Sequence, residues 1–250
     1  MSESTLPQIP ADCSCESLFG GRLSCLQHRH GYRFSVDAVL LAHFVKPDAG
    51  ACILDLGAGC GIVSLIIAYR FPDTSLTALE IQPPLASLIK ANVARNNFAA
   101  QISAQAGDLR RLQDYIVPGS FDLVVCNPPY QKANSSRLNR EQEKAIARHE
   151  IKADLPAVVR AISVALTDGG KGAVVYPARH RDELLAELCD NNLSPRRLQM
   201  VHGYPGSPGK LVLVEAQKNG GQEFEILPPF FISQEKGGAY TPEMARCYAG

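Results

Sequence analysis

The chain has 250 residues, of which 46% are apolar, so it is long enough to build one large domain with a complete hydrophobic core. Its 25 basic and 25 acidic residues cancel, which excludes recognition of nucleic acid through bulk positive charge. The sequence has neither a run of about 18 uncharged apolar residues nor a basic segment followed by an apolar stretch at its start. It therefore predicts a cytoplasmic protein without a membrane span or signal peptide.

The first part of the chain predicts a small extension in front of the main domain. Residues 1–15 are polar and contain proline, which predicts a disordered lead-in, so the single folded domain is expected to span 16–250. Within 16–46, two short apolar runs flank Gly20-Gly21, a pattern that indicates a hairpin. Ser35 is a suitable N-cap for a helix that follows the hairpin.

Five potential metal ligands lie close together in this extension, namely Cys13, Cys15, Cys25, His28 and His30. Their spacing, C-x-C followed by C-x-x-H-x-H, lacks the paired C-x-x-C of common structural zinc sites. The pattern favours free thiols and imidazoles, so we predict no metal site and keep metal binding as the open alternative.

Short apolar strands alternate with helices from residue 51 onward. The predicted strands are 51–56, 75–79, 101–106, 121–126, 172–176, 197–202 and 211–216, and the predicted helices are 62–71, 83–97, 154–166 and 179–190. This alternation predicts an α/β fold with a mostly parallel sheet that carries helices on both faces. A short loop joins the last two strands, which are therefore expected to pair with each other in antiparallel fashion.

The first strand of this alternating region ends in a glycine-rich turn. Asp55 is followed by Gly57, Gly59 and Gly61, and the next residues open a helix. Glycines allow the backbone to approach a ligand closely. Such a turn also occurs in proteins that bind nicotinamide or flavin, so the glycines alone do not identify the ligand.

Acidic residues follow the next two strands. Glu80 ends one strand and can bind both hydroxyls of a ribose, while Asp108 ends the next and can accept a hydrogen bond from an adenine amino group. Their neighbours Ile81 and Leu109 are expected to line the same site. Together with Asp55, which suits a cationic or amino-bearing ligand, the pattern predicts S-adenosyl-L-methionine as the cofactor.

The fourth strand leads directly into the tetrapeptide Asn127-Pro128-Pro129-Tyr130. The Asn127 side-chain oxygen and the Pro128 carbonyl can accept hydrogen bonds from an exocyclic amino group, which makes its lone pair available to a methyl donor. The prolines hold the loop in an extended shape, and Tyr130 offers a ring for stacking a flipped base. We predict that these four residues are catalytic and that Asn127 also borders the cofactor.

The chain resembles the amino-methyltransferases of the Rossmann-like, seven-stranded class I fold, and within them the bacterial enzymes that methylate valine tRNA. The tetrapeptide carries the first resemblance. The second rests on the stretches 31–41, 147–150, 201–202, 210–216 and 240–244.

The resemblance extends over 17–248 and implies several further expectations. It implies a seven-stranded, mostly parallel sheet with one antiparallel strand, and methyl transfer to N6 of adenine-37 beside the anticodon. It also implies that Arg33, Phe34 and Asp37 bind the methionine end of the cofactor.

Three alternatives to this function stay open at this point. The tetrapeptide is also found in glutamine N5-methyltransferases of peptide release factors and in ribosomal RNA methyltransferases that act on guanine N2 or adenine N6. Only about 50 residues precede Asp55, too few for the helical domain typical of the release-factor enzymes. A module that binds RNA without catalysis is the third alternative.

Basic residues follow the tetrapeptide and predict contacts with RNA. Lys132, Arg137, Arg140 and Arg148 lie in a segment whose first half is rich in Asn and Ser, a composition typical of a lid that orders on its substrate. We expect tRNA to be the partner, while the sequence leaves open whether the protein is a monomer or a homodimer.

Overall fold

The structure is a computed structural model that describes residues 9–30, 33–128, 154–221 and 223–249. Two antiparallel strands, β1 (Cys13–Leu18) and β2 (Leu23–His28), form the predicted hairpin. Strand β1 begins inside the segment 1–15 for which disorder was predicted. Its first residue pairs with the last residue of β2 and is buried, so strand pairing orders a segment that composition alone marked as a lead-in.

The remaining elements follow the predicted alternation of strands and helices. The strands are β3 (Cys52–Leu56), β4 (Ser75–Glu80), β5 (Ile102–Ala106), β6 (Phe121–Cys126), β7 (Leu166–Pro177), β8 (Leu193–His202), β9 (Gly209–Lys218), β10 (Glu225–Ile226) and β11 (Phe230–Phe231). The helices are α1 (Val36–Phe44), α2 (Ile62–Arg70), α3 (Pro83–Arg95), α4 (Leu155–Ala165), α5 (Arg181–Asp190) and α6 (Pro242–Ala249).

The main sheet has the strand order β10-β8-β9-β7-β6-β3-β4-β5, with β11 also paired to β8. Strands β5, β4, β3, β6 and β7 are parallel, and β9 is antiparallel to both of its neighbours, β7 and β8. The prediction of a mostly parallel sheet with one antiparallel strand is therefore confirmed, and the seven predicted strands are joined by two more, which gives a sheet of nine. The two-residue strands β10 and β11 add to the β8 edge and are too short for a periodic pattern to reveal them.

Two apolar layers enclose the sheet, which explains why its central strands are apolar on both faces. Ile53 packs with the hairpin, α1, α2 and α3 on one face, whereas the next residue, Leu54, packs with α4 and α5 on the other. Parallel strands buried on both sides read as nearly continuous apolar runs, as β3 and β6 do apart from one aspartate each. Among the described residues, no helix is long and apolar enough to cross a membrane.

The helix ends follow from local sequence signals. Helix α3 starts with two prolines, which lack the N–H groups that a first turn leaves unpaired. It stops before Asn97, which adopts a φ of 59° and turns the chain into β5. The Asp154 side chain caps α4 by accepting a hydrogen bond of 3.0 Å from the Ala157 N–H.

Candidate cofactor site and catalytic loop

The predicted glycine-rich turn connects β3 to α2 at the carboxyl edge of the sheet. Gly57 and Gly59 adopt φ angles of 70° and 59°, in the left-handed region where a side chain is strained. The N–H groups of Gly57 and Ala58 donate to the Leu79 carbonyl oxygen at 2.9 and 3.0 Å. The turn is thus fixed against the end of β4, where the next predicted site residue lies.

Glu80 at the end of β4 lies directly against this turn. One carboxylate oxygen accepts the Gly59 N–H at 2.8 Å and the other accepts the Gln82 N–H at 2.9 Å. Burial raises the pKa of Glu80, and these N–H groups oppose that rise. The residue is only 4% exposed, and contact of its carboxylate with the hydroxyls of a ribose stays a prediction.

A small pocket opens between the ends of β3, β4 and β5. Its lining residues are Gly57, Leu79, Ile81, Gly107, Asp108, Leu109 and Arg110. The aliphatic walls suit a flat aromatic base. A Cβ added at Gly107 would lie 2.7 Å from the Leu79 Cδ1 atom, so only glycine fits that wall without a shift. Glu80 next to this pocket places a carboxylate beside an apolar slot, and binding of the adenosine part of S-adenosylmethionine there stays a prediction.

Asp108 lies at the rim of the pocket and is already engaged by Arg110. The Arg110 side chain donates to both carboxylate oxygens at 2.6 to 3.0 Å, and its backbone N–H donates to one of them at 2.9 Å. The hydrogen bond from Arg110 lowers the pKa of Asp108. An adenine amino group would therefore compete with Arg110 for this carboxylate.

Asp55 lies beneath the glycine-rich turn and is only 2% exposed. One of its oxygens accepts hydrogen bonds from the Ser64 hydroxyl at 2.7 Å and the Ser64 N–H at 3.2 Å. Burial raises the pKa of Asp55 from the usual 3.8 to about 6. Asp55 thus contacts Ser64 at the start of α2, and its contact with a ligand stays a prediction.

Asn127 follows β6 at the same edge of the sheet. Strands β3 and β6 are parallel and pair Leu56 with Cys126, so the next residues, Gly57 and Asn127, leave the sheet side by side. Asn127 is half-buried and Pro128 is buried. The other predicted catalytic residues, Pro129 and Tyr130, lie outside the described residues, as do the predicted RNA contacts Lys132, Arg137, Arg140 and Arg148.

The three residues implied by the family resemblance lie where the hairpin leads into α1, Arg33 and Phe34 before the helix and Asp37 in its first turn. The Arg33 guanidinium forms an ion pair with Glu16 at 2.7 Å, and the Phe34 N–H donates to the Gln27 side chain at 3.2 Å. Asp37 lies in the first turn of α1, where burial raises its pKa and the positive charge of Lys210 opposes the rise. These contacts attach the segment to the hairpin and the sheet, and its contact with a cofactor stays a prediction.

Asn92 on α3 is a functional candidate that the sequence reasoning missed. Its side chain is fully buried, and its amide donates to the carbonyl oxygens of Cys60 and Leu26, both at 2.9 Å, and accepts the Leu26 N–H at 2.7 Å. One turn later, Asn96 forms the same paired hydrogen bonds with Ser24. The two amides attach strand β2 to α3, and Asn92 alone also holds the glycine-rich turn. Two asparagines spaced four residues apart on one face of a predicted helix could have indicated that their side chains hydrogen-bond a neighbouring segment.

A larger cavity of about 390 Å³ lies at the opposite edge of the sheet. Lys46, Asp122, Thr167 and Lys171 are among its lining residues, and it faces the amino ends of β3, β6 and β7. Ligands of open α/β sheets bind outside the carboxyl ends of the strands. The smaller pocket beside Glu80 is therefore the candidate site.

Comparison with known proteins identifies the family of this chain. The family model of the methyltransferase small domain matches residues 35–150. A tRNA1(Val) (adenine(37)-N6)-methyltransferase from Porphyromonas gingivalis is 32% identical over 189 residues, which cover 73% of this chain and 73% of that protein. An enzyme of the same name from Vibrio cholerae is 30% identical over 185 residues, covering 74% of this chain and 75% of that protein.

Solved structures agree on the fold. A predicted O-methyltransferase from Agrobacterium tumefaciens matches with a TM-score of 0.70 at 21% identity, covering 85% of this chain and 95% of that one. A geranyl diphosphate methyltransferase matches with a TM-score of 0.54 at 15% identity, covering 72% of this chain and 84% of that one. At these identities the likeness shows the Rossmann-like methyltransferase fold alone. The sequence relatives, which reach 32% identity over almost three quarters of both chains, show that this protein belongs to the family of tRNA1(Val) (adenine(37)-N6)-methyltransferases.

Proposed function

We propose that the protein transfers a methyl group from S-adenosyl-L-methionine to the N6 amino group of adenine-37 in valine tRNA. The observation that carries this proposal is the position of Asn127. It leaves β6 beside the glycine-rich turn that follows β3, and Glu80 lies against the same turn. An amide acceptor is thus held next to a site suited to a nucleoside, as transfer to an amino group requires.

The cofactor contacts are proposed residue by residue. Glu80 binds the two ribose hydroxyls, and the adenine ring lies in the pocket lined by Ile81 and Leu109. Asp108 accepts from the adenine amino group once Arg110 has moved aside. Gly57 and Gly59 let the backbone approach the cofactor closely, while Asp55 stabilises the turn through its hydrogen bond with Ser64. We further propose that Arg33, Phe34 and Asp37 border the methionine end.

The catalytic step follows from the hydrogen-bonding capacity of the loop. The Asn127 side-chain oxygen and the Pro128 carbonyl oxygen accept hydrogen bonds from the two N–H groups of the adenine amino group. The nitrogen lone pair, otherwise delocalised into the ring, then points towards the methyl donor, which would supply a methyl group activated by its positive sulfur and keep the electron pair of the broken bond. The methylated nitrogen gives up one proton to solvent. Pro129 keeps both acceptors in place, and Tyr130 stacks on the flipped base.

The substrate is tRNA, and the proposed contacts with its phosphates are Lys132, Arg137, Arg140 and Arg148. The membership in a tRNA methyltransferase family supports this substrate. Because tRNA is used in the cytoplasm, we expect the protein there. The zero net charge means that local groups of basic residues must provide the attraction to the RNA.

The experiment is methyl transfer from labelled S-adenosylmethionine to total tRNA from a strain that lacks this enzyme, followed by nucleoside analysis. We expect N6-methyladenosine, confined to position 37 of valine tRNA. Parallel reactions contain a peptide release factor or ribosomal RNA. Label in glutamine of the release factor, or in N2-methylguanine of ribosomal RNA, together with unlabelled tRNA, would overturn the proposal.

A further inference from the structure

Three side chains with metal-binding atoms meet at the open end of the hairpin. Cys13 Sγ lies 3.8 Å from the Nδ1 atom of His28 and 3.6 Å from one carboxylate oxygen of Asp12. The other carboxylate oxygen of Asp12 lies 3.2 Å from His28 Nδ1. Within the part of the chain that the structure describes, this is the one group of three such residues whose ligand atoms all lie within 4.8 Å of one another.

Two of these separations, from sulfur to nitrogen and from nitrogen to oxygen, match the edges of a tetrahedral zinc site. Zinc binds cysteine sulfur at about 2.3 Å, and histidine nitrogen and carboxylate oxygen at about 2.0 to 2.2 Å. For tetrahedral angles, those bonds place sulfur and nitrogen about 3.6 Å apart, and nitrogen and oxygen about 3.3 Å apart. The observed 3.8 and 3.2 Å therefore need shifts of a few tenths of an ångström to accept the ion.

The strand register decides which residues of the sequence cluster can take part. Cys13 is paired with His28, so both side chains project from the same face of the hairpin. Cys25 is paired with Glu16 on the opposite face, where its sulfur lies 3.7 Å from that of Cys60. Asp12, which the sequence pattern did not include, replaces Cys25 in the set.

We propose that Asp12, Cys13 and His28 bind one Zn²⁺ ion in a tetrahedral site with water as the fourth ligand. Sulfur, imidazole and carboxylate ligands together suit zinc. On binding, the Cys13 thiol releases its proton to solvent, and neutral His28 coordinates through Nδ1 while Nε2 keeps its hydrogen.

The ion would close the open end of the hairpin. The Arg29 N–H donates to the Asp12 carbonyl oxygen at 2.8 Å, so a backbone contact already joins the two ends at this point. Zinc adds a cross-link between the residue before β1 and the last residue of β2. It would thereby stabilise the hairpin, on which it lies, rather than the strand ends that form the candidate methyltransferase site.

The test is a Co²⁺ titration of the full-length, reduced and chelator-treated protein. We expect one equivalent to produce the visible bands of tetrahedral cobalt and a thiolate-to-cobalt band in the near ultraviolet, and Zn²⁺ to remove both. Cys13→Ser should abolish the thiolate band, and His28→Asn and Asp12→Asn should weaken binding at least about tenfold. An absent thiolate band, or one that persists in Cys13→Ser, would overturn the proposal.

Two matched controls exclude general effects of thiols and imidazoles. Cys189 is exposed, and His180 lies 3.1 Å from the Glu183 carboxylate but belongs to no group of three metal-binding residues in the described part of the chain. Cys189→Ser and His180→Asn should therefore bind cobalt like the unchanged protein. Loss of the thiolate band in Cys189→Ser would place the metal elsewhere and contradict the assignment.

Thermal melting gives a second readout that does not depend on activity. A zinc concentration of about one hundred times Kd should raise the Tm by about 5 to 10 °C, and Cys13→Ser should lack this rise. In chelator, the variants should melt within a few degrees of the unchanged protein, which shows that they fold. If Cys13→Ser lowers the Tm in chelator, the test uses His28→Asn instead, because the His28 side chain is partly exposed. A rise in Tm with zinc that is as large in His28→Asn as in the unchanged protein would contradict the site.

Discussion

Burial raises the pKa of the acid at the end of β3, and pairing with an arginine lowers the pKa of the acid that follows β5. Asp55 is enclosed beneath the glycine-rich turn, and its burial raises the pKa to about 6. Asp108 lies near the surface, where the hydrogen bond from Arg110 lowers its pKa. The first acid is therefore suited to holding the turn through Ser64, and the second to binding a donor group from a ligand.

The raised pKa of Asp55 predicts a pH-dependent effect of Asp55→Asn. The pKa of Asp55 in the folded protein exceeds the usual 3.8, so the folded state holds the carboxyl proton more tightly than the unfolded state does. The free energy of unfolding therefore falls as the pH rises through about 6. Asparagine does not ionise and can still accept from Ser64. We expect urea unfolding to show that the variant gains about 2 kcal/mol over the unchanged protein between pH 4.5 and 8. A difference that does not change with pH would contradict this account.

The contact between Asp108 and Arg110 predicts that removing the arginine improves cofactor binding. Arg110→Ala frees the carboxylate for adenine and should lower the Kd for S-adenosylmethionine about threefold, whereas Asp108→Ala should raise it about tenfold. Calorimetry measures both constants. Arg111→Ala is the control, because Arg111 pairs with Asp114 instead. Unchanged affinity in both test variants would assign Asp108 a structural role alone.

Asn127 is predicted to act on the methyl transfer rather than on cofactor binding. Asn127→Ala removes one of the two acceptors that orient the amino group, so kcat should fall by about a hundredfold or more. The Kd for S-adenosylmethionine, measured by calorimetry, should stay within about twofold. Full activity in this variant would refute the proposed mechanism.

At the scale of elements, helix α3 connects the hairpin to the cofactor site. The paired hydrogen bonds of Asn92 and Asn96 to Leu26 and Ser24 replace the partner strand that β2 lacks on that side. Buried backbone groups without partners are costly, so these amides stabilise the hairpin against the domain. Through its bond to the Cys60 carbonyl, Asn92 also limits the motion of the glycine-rich turn.

A comparison of Asn92→Ala with Asn96→Ala separates positioning from stability. Both changes leave backbone groups of β2 unpaired, at buried Leu26 and at part-buried Ser24, and should lower the free energy of unfolding by about 2 to 3 kcal/mol for Asn92→Ala and about 1 kcal/mol for Asn96→Ala. Asn92→Ala should also raise the KM for S-adenosylmethionine several-fold with a smaller change in kcat, whereas Asn96→Ala should leave the KM unchanged. Equal KM values in the two variants, measured well below the Tm, would show that Asn92 is only structural.

At the scale of the whole molecule, a neutral chain must attract a highly charged RNA. Replacing Lys132, Arg137, Arg140 and Arg148 by alanine in pairs should raise the KM for tRNA and leave the Kd for the cofactor unchanged. The dependence of log affinity on log salt should become shallower by about 0.7 to 0.9 for each phosphate that the variant no longer neutralises. Salt titrations of tRNA binding measure this slope, and an unchanged slope would contradict the proposed role of these residues.

The sequence by itself determined the α/β architecture and the position of the candidate site at the carboxyl edge of the sheet. Apolar runs mark the strands, and Gly57, Glu80, Asp108 and Asn127 each lie at or just after the end of one, so local patterns sufficed to bring them to one edge. The minor strands β10 and β11 and the start of β1 were not predicted, because pairing with a neighbouring strand, rather than local periodicity, orders such short segments.

Only the tertiary structure decided how these residues are held. The burial of Asp55 and the bonds of Asn92 to β2, 66 residues away along the chain, depend on how elements pack against each other. The register of the hairpin likewise separates Cys25 from Cys13 and places Cys13 beside His28. Side chains alternate between the two faces of a strand, so a shift of one residue in the pairing would have reversed that grouping.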